Sequence, residues 1–406
     1  MEHSNRGLFS LALFSDSIHE LLHPPPGQIS YLDGLRSIAV LLVINCHLSA
    51  QFVLANGPNL YSRLPFVMNG GWVGVDLFFV LSGFFIGGQL WREFRNRGSI
   101  NVSRFVVRRG FRIWPLYFFT FLSVLTCLVI IGSSHVSDKE YGWSDIIFIT
   151  NFHNRGLVMG SWSLCTEEQF YIVAPLGLFL LARYVKSIQA LRPWLWGALF
   201  VAPIIRTAVW VHASGRFFMH SPALFAPIYY SSITHYDGLV MGLTISNFWV
   251  AREKPSSKFA SPGILIVAAV ALGIGLHQLQ KEIFDFTILA LGCGSFVWFG
   301  LQKRPAFFNS RLFYWISRLS FGMYLNHEYM CPWIVRALLS RLSFAARLPV
   351  LTEIVGVALV TLLSIGIALI TYCCVEYPFL QIRKMILERE SEPRSIGCLT
   401  ESAAMD

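Results

Sequence analysis

Three groups of residues in this chain have the types and spacing to do chemistry. The first is Arg36 and His47 in YLDGLRSIAVLLVINCH (31–47). Eleven positions on a helix make about three turns and about 16 Å of rise, which puts a guanidinium and an imidazole on nearly one face. Asp33 shares that stripe, at i, i+3 from Arg36, where it would aim the guanidinium. An imidazole buried behind a charged mouth in an apolar run is a candidate general base, because each such group carries a desolvation cost in lipid. Asp76 in GGWVGVDLFFVLSGFFIGG (70–88) is expected to hold one ring nitrogen of His47, which would fix the tautomer. The second group is Arg109 and Arg112, at i, i+3 in RRGFRIWP (108–115). Guanidinium forks suit phosphate oxygens. The third is Glu167 and Glu168 in GSWSLCTEEQFYIVAPL (160–176), with Tyr171 four residues after Glu167. Adjacent acids project about 100° apart, so one is expected to face a helix bundle and the other the headgroups. Weaker signals are Asp237 in HYDGLVMG, Tyr324 and His327 in SFGMYLNHEY, and Glu376 in VEYPF, each of which also reads as a satisfied core polar group.

The elements that must position these groups are membrane helices. Of 406 residues, 54% are hydrophobic and 14% charged, against roughly a quarter charged in soluble domains. Windows of about twenty apolar residues predict ten spans, near 36–55, 72–91, 113–132, 162–182, 193–212, 222–248, 261–279, 283–301, 313–335 and 350–374. A net charge of +9 would suggest nucleic acid for a soluble protein, but here the basic residues fall in alternate connections. The segment WREFRNRGSINVSRFVVRRGFR holds seven arginines and one acid, which the positive-inside rule assigns to the cytoplasm. Apart from Arg109 and Arg112, its arginines read as topology signals and contacts to anionic lipid. This register places both termini in the cytoplasm, with residues 1–30 as a leader, 31–383 as one multi-pass membrane domain, and 384–406 as a polar tail. The location is a plasma membrane or bacterial inner membrane. Gly83 and Gly87 share a face with Asp76 and are expected to let this span pack closely on the first. Trp72, Trp143 and Trp162 suit either sugar stacking or interface anchoring. The eight cysteines show no metal-ligand spacing with histidine, and no metal is expected.

In this order the stretches resemble the acyltransferase 3 family of integral-membrane, acyl-CoA-dependent transferases. The resemblance rests on LDGLR with Arg-x10-His, GVDLFFVLSGF, the RxxR of Arg109 and Arg112, WSLxxEEQFY, HYDGLVMG, SFGMYLNH and VEYPF, from Tyr31 to about Arg383. It is to the stand-alone form, without a fused extracytoplasmic domain. The resemblance implies O-acylation, usually O-acetylation, of a carbohydrate, glycolipid or similar hydroxyl-bearing acceptor, with acyl-CoA, usually acetyl-CoA, as donor. On that footing His47 is the general base, Glu167 and Asp76 orient the acceptor or tune the imidazole, and Arg36, Arg109 and Arg112 bind the donor. The alternative is a proton-coupled transporter of a lipid or sugar, which intramembrane acids and a basic mouth would also suit. The absence of an internal sequence repeat counts against it.

Overall fold

Close-set glycines decide how the central helices meet. The computed structural model describes residues 11–23, 30–55, 70–131, 141–153, 155–214, 227–251, 283–308, 310–341 and 348–391. Among them every regular element is helical. The principal helices are α1 (Leu11–Leu22), α2 (Ser30–Leu54), α3 (Val73–Arg97), α4 (Val102–Ile131), a short α5 (Gly142–Ile146), α6 (Ser161–Leu181), α7 (Arg192–Ser214), α8 (Asp237–Val250), α9 (Asp285–Lys303), α10 (Arg311–Arg341), α11 (Pro349–Thr371) and α12 (Tyr377–Ser391). A π-helical turn, Tyr372–Glu376, joins the last two.

Against the ten expected spans, seven helices among the described residues are long and apolar enough to cross a membrane: Tyr31–Leu54, Val73–Arg97, Val102–Ile130, Ser161–Leu181, Gln189–His212, Asp285–Lys303 and Val350–Leu387. The chain is a multi-pass membrane protein. The other three expectations differ for physical reasons or lie elsewhere. In the window 222–248 the longest described helix is α8, whose 14 residues rise about 21 Å, short of the roughly 30 Å hydrocarbon thickness. Helix α10 has 31 residues, but its inward face carries Arg318, His327 and Glu328, which dilute its apolarity. The window 261–279 lies outside the described residues.

The Arg-rich segment is mostly helix rather than loop. Helix α3 continues through Arg97 and ends at Gly98, whose φ of 67° closes the turn with its N–H on the Phe94 carbonyl at 2.7 Å. A residue with a Cβ enters that left-handed region only with strain. Asn101 then starts α4, its Oδ1 accepting the Arg104 N–H at 2.9 Å as an N-cap. Arg109 and Arg112 therefore stand on helical turns with a fixed separation.

Glycines 83 and 87 pack on α8, not on α2 as expected. A Cβ at Gly83 would lie 2.0 Å from the Leu239 carbonyl oxygen, and one at Gly87 would lie 2.0 Å from Ser246 Oγ. From the other side, a Cβ at Gly242 would lie 2.0 Å from the Val80 oxygen. Gly83-xxx-Gly87 and Gly238-xxx-Gly242 thus mesh backbone to backbone, as small-residue pairs do in lipid. Gly71 and Gly74 serve the α2 contact instead, where an added Cβ would lie 2.5 Å from the Leu42 and Ala39 carbonyl oxygens respectively.

Beside this crossing lies a fully buried charge pair. Asp237 joins Arg206 of α7, with Nη1 on Oδ2 at 2.7 Å and Nη2 on Oδ1 at 3.1 Å. The remaining guanidinium N–H groups reach the Ile283 and Thr234 carbonyls and Thr287 Oγ1, each at 2.6 Å. All five donors of the arginine are used, so Asp237 and Arg206 tie α7, α8 and α9 together. At the end opposite the Arg-rich segment, Asp145 accepts from the Leu157 N–H at 2.6 Å and the Tyr117 hydroxyl at 2.9 Å, folding the connection before α6 onto α4. Burial pushes the Asp145 carboxyl above its ordinary pKa, opposed by those hydrogen bonds.

Two outcomes follow. Gly83→Leu forces α3 and α8 apart and lowers stability by about 1–3 kcal/mol or more, read as a lower melting temperature in detergent. Gly177→Leu, at a site with open space, leaves it nearly unchanged. Asp237→Ala strands Arg206 and costs about 3–5 kcal/mol in the same measurement.

Candidate active site

One stripe of α3 lines four adjoining cavities that together run the length of the helix, roughly 37 Å from Trp72 to Arg97. At the Arg-rich end is a vestibule of about 850 Å³, lined by Arg92, Arg104, Arg108, Arg109, Arg112, Arg318 and Arg383 among others. It shares Gln89, Arg109, Arg112 and Arg318 with a pocket of about 230 Å³. That pocket shares Arg36, Phe78, Leu164, Glu167 and Phe321 with a waist of about 60 Å³. The waist in turn shares Val75 and Tyr324 with a chamber of about 270 Å³ that contains His47. The structure thus puts Arg36 and His47 on one conduit, with Arg109 and Arg112 at its basic end.

The arginines are held by stacking and by neighbouring helices. Arg109 lies 5.6 Å from the Tyr171 ring centroid and 5.7 Å from that of Phe105. Its Nε and Nη2 are buried without a hydrogen-bond partner. Arg318, which sequence reasoning missed, reaches Glu20 of α1 and the Tyr372 hydroxyl, both at 2.9 Å. Glu376, buried in the π turn, lies in the field of Arg112, Arg318 and Arg36. Together these groups form a strongly positive mouth suited to a polyanion.

Farther in, α10 fixes both charged residues of the α2 mouth. Arg36 Nε donates to Ser320 Oγ at 3.0 Å, and Ser317 Oγ donates to Asp33 at 2.7 Å. Glu167 faces the conduit, where its Oε2 takes a short hydrogen bond from the Tyr171 hydroxyl and another from Ser82 Oγ at 3.1 Å. Glu168 was expected near the headgroups, but it is buried and accepts from Trp114 Nε1 at 2.9 Å. The Trp114 indole covers it on the α4 side, which a spacing argument could not foresee.

In the chamber, hydrogen bonding fixes the tautomers. His327 Nδ1 faces the Tyr324 carbonyl at 2.8 Å and the Met323 carbonyl at 3.2 Å. Carbonyls only accept, so the proton of neutral His327 is on Nδ1 and its Nε2 is an acceptor. That Nε2 lies 3.0 Å from His47 Nδ1, which also faces the Val43 carbonyl at 3.2 Å. His47 therefore carries its proton on Nδ1, and its Nε2 offers a free lone pair. Glu328 Oε2, buried with no hydrogen-bond partner, lies 3.9 Å from that nitrogen. Trp72, Trp162, Tyr229 and Phe286 supply an aromatic wall, while Trp143 is exposed outside the chamber.

Asp76 is not the partner of His47. Its Oδ1 meets His235 Nε2 at 2.9 Å, and His235 Nδ1 meets the Tyr229 carbonyl at 2.7 Å. Both ring nitrogens face acceptors, so the imidazole is held between the Asp76 carboxyl and the Tyr229 carbonyl. It lies under Trp162, whose ring stacks on His235 at 5.9 Å. Asp237 likewise belongs to the Arg206 pair and lines none of the four cavities. Ser82 sits inside the FFVLSGF motif and Glu328 directly follows His327, so both were visible as letters but without a signal of what they face. Among the described residues no cluster of three His, Cys, Asp or Glu side chains could hold a metal ion.

The family model described as "Acyltransferase domain" matches residues 29–373. The chain is 23% identical over 323 residues to "Peptidoglycan O-acetyltransferase OatA" of Listeria monocytogenes, covering 73% of this chain and 48% of that protein. It is 25% identical over 244 residues to "Putative peptidoglycan O-acetyltransferase YrhL" of Bacillus subtilis, covering 57% and 35%. It is 28% identical over 232 residues to "Putative O-acetyltransferase SACOL0978" of Staphylococcus aureus, covering 54% and 34%. The matched part thus spans from a third to about half of the length of these relatives. No solved structure matches the chain. A family match over most of the chain, on a multi-pass helical scaffold, carries one conclusion: the chain is a multi-pass membrane protein that belongs to this acyltransferase domain family.

Proposed function

We propose that the protein moves a small acyl group from acyl-CoA, held at the Arg-rich end, to a hydroxyl of a carbohydrate or glycolipid acceptor in the chamber, with His47 Nε2 as general base. The observation that carries this reading is the run of adjoining cavities between a cluster of guanidinium groups and an imidazole whose tautomer leaves its conduit-side nitrogen unprotonated. Coenzyme A carries several phosphate charges, and the buried unpartnered donors of Arg109 suit them. Arg112 and Arg318 line both vestibule and pocket, so they guide the donor from one to the other. The pantetheine arm then lies along Arg36 and Glu167, its thioester at the waist.

In the reaction the acceptor hydroxyl oxygen attacks the thioester carbonyl carbon while His47 Nε2 takes its proton. The C–O bond forms, the C–S bond breaks, and the proton returns to the thiolate that leaves. Glu328 steadies the imidazolium, and His327 performs the tautomer-holding role expected of Asp76. Arg36 and Glu167, on either side of the waist, set the carbonyl in place. The relatives are named for peptidoglycan O-acetylation, and the aromatic wall of Trp72, Trp162 and Tyr229 suits the apolar face of a sugar ring. On this reading the Arg-rich end is cytoplasmic. Helices α1 and α12 both line the vestibule through Glu20 and Lys384, which supports a cytoplasmic side for these two helices. Helices α8 and α10 stand beside the seven apolar helices in the same bundle.

Radiolabelled acyl-CoA in proteoliposomes tests the assignment, since a transporter leaves the thioester intact. His47→Ala lowers transfer by about 10² to 10⁴; undiminished transfer from correctly inserted protein removes His47 from the mechanism. Arg109→Gln raises KM for acyl-CoA roughly ten- to a hundredfold, the loss of one charge-assisted contact, with little change in kcat. An unaltered donor KM contradicts the donor assignment.

A further inference from the structure

We infer that the waist is an acyl-length gauge, in which Phe78 of α3 and Phe321 and Tyr324 of α10 restrict the donor to acetyl. The inference rests on the acyl-transfer reading above and adds the residues that select the donor. The waist holds about 60 Å³, against about 230 Å³ on the vestibule side and about 270 Å³ on the His47 side. The reacting carbonyl must sit there, because the donor arrives through the first space and the base stands in the other. A single water-sized group needs at least about 10–15 Å³ of such space, so the waist admits only a few non-hydrogen atoms. An acetyl thioester presents four: sulfur, carbonyl carbon, carbonyl oxygen and methyl. Each further methylene has to displace a wall or push the carbonyl out of the waist.

The walls do not give easily. The Tyr324 hydroxyl is tied to Ser163 Oγ at 2.6 Å and donates to the Gly160 carbonyl at 3.0 Å. Its ring meets Phe78 edge to face, with centroids 6.3 Å apart. Behind Phe78, α3 is locked to α8, since Gly238 of α8 has room for a Cβ only 2.8 Å from the Phe79 side chain and Gly83 faces the Leu239 carbonyl. Phe321 closes the other side, lining both waist and pocket. A longer acyl chain therefore meets three aromatic rings at the waist, Phe78 and Phe321 toward the pocket and Tyr324 toward the chamber.

The test is the ratio of kcat/KM for propionyl-CoA and butyryl-CoA to that for acetyl-CoA, measured with purified full-length protein in proteoliposomes and an acceptor glycan fragment. The wild type disfavours each added methylene by roughly ten- to 200-fold. Phe78→Ala and Phe321→Ala each raise the propionyl-to-acetyl ratio about tenfold or more, whatever they do to the absolute acetyl rate. Where either alanine variant fails to insert, Phe78→Leu and Phe321→Leu keep an apolar wall and give a smaller rise of the same sign. Equal use of the three donors by the wild type overturns the gauge, as does an unchanged ratio in folded variants that still transfer acetyl. A wild type that releases no acyl group from any donor overturns instead the acyl-transfer reading on which the gauge stands.

Discussion

The close crossing of α3 and α8 is the constraint on which the conduit depends. Two GxxxG faces bring the helices so near that carbonyl oxygens occupy the places of side chains. In lipid there is no hydrophobic gain from pressing apolar surfaces together, so packing of this kind and buried polar links must hold the bundle. The consequence reaches the other side of α3. With its glycine face fixed, the opposite stripe from Trp72 through Val75, Phe78, Ser82 and Gln89 to Arg92 cannot rotate or slide, and that stripe lines every cavity. A turn of helix lost or gained there would move the waist relative to His47.

Ionisable groups inside the bundle fall into two populations that differ in what surrounds them. Arg206, Asp237, Asp76 and His235 are fully buried and tied to protein partners, with only Oδ2 of Asp76 left unpaired among their polar atoms. They compensate one another in pairs, as a medium of low dielectric demands. Arg36, Arg112, Glu167 and His47 are only half-buried and border open space. Their partners leave part of each group unspent: a lone pair on His47, and on neighbouring Arg109 the donors that meet nothing. Burial alone therefore marks structure, while incomplete burial beside a cavity marks the conduit.

That distinction also explains what could be read from the letters. Spacing on one helix was sufficient to place Arg36 with His47, Arg109 with Arg112, and Glu167 with Tyr171, because helical periodicity fixes local faces. Partners from distant helices were not accessible to it. Asp76 needed a buried partner, and two histidines, His47 and His235, were chemically equivalent candidates; only the α3–α8 crossing, which places His235 beside Asp76, selects between them. Glu168 shared the problem, since its neighbour Trp114 lies 54 positions earlier. Hydropathy windows recovered most spans, but averaged over 222–248 and passed across the break before Asp237, where Thr234 turns its hydroxyl onto the Ile228 carbonyl at 2.7 Å. They also read as a loop the arginines that extend α3 and α4, because charged side chains lower a window average even when they point into a vestibule.

The spacing of Arg36 and His47 acquires a physical reason from the conduit. Arg36 borders both pocket and waist, and His47 borders the chamber, so α2 sets the distance between these spaces. In the proposed mechanism the His47 nitrogen has to face an acceptor in the chamber to take its proton and a departing thiolate at the waist to return it. Only a position at the boundary of the two spaces allows both. One residue inserted between Arg36 and His47 would rotate the imidazole by about 100° and advance it by about 1.5 Å, off the stripe and away from His327. The hydrogen bond that sets its tautomer would then be lost together with its access to the conduit. The length of the segment, its helical phase and the protonation of His47 are therefore one constraint rather than three.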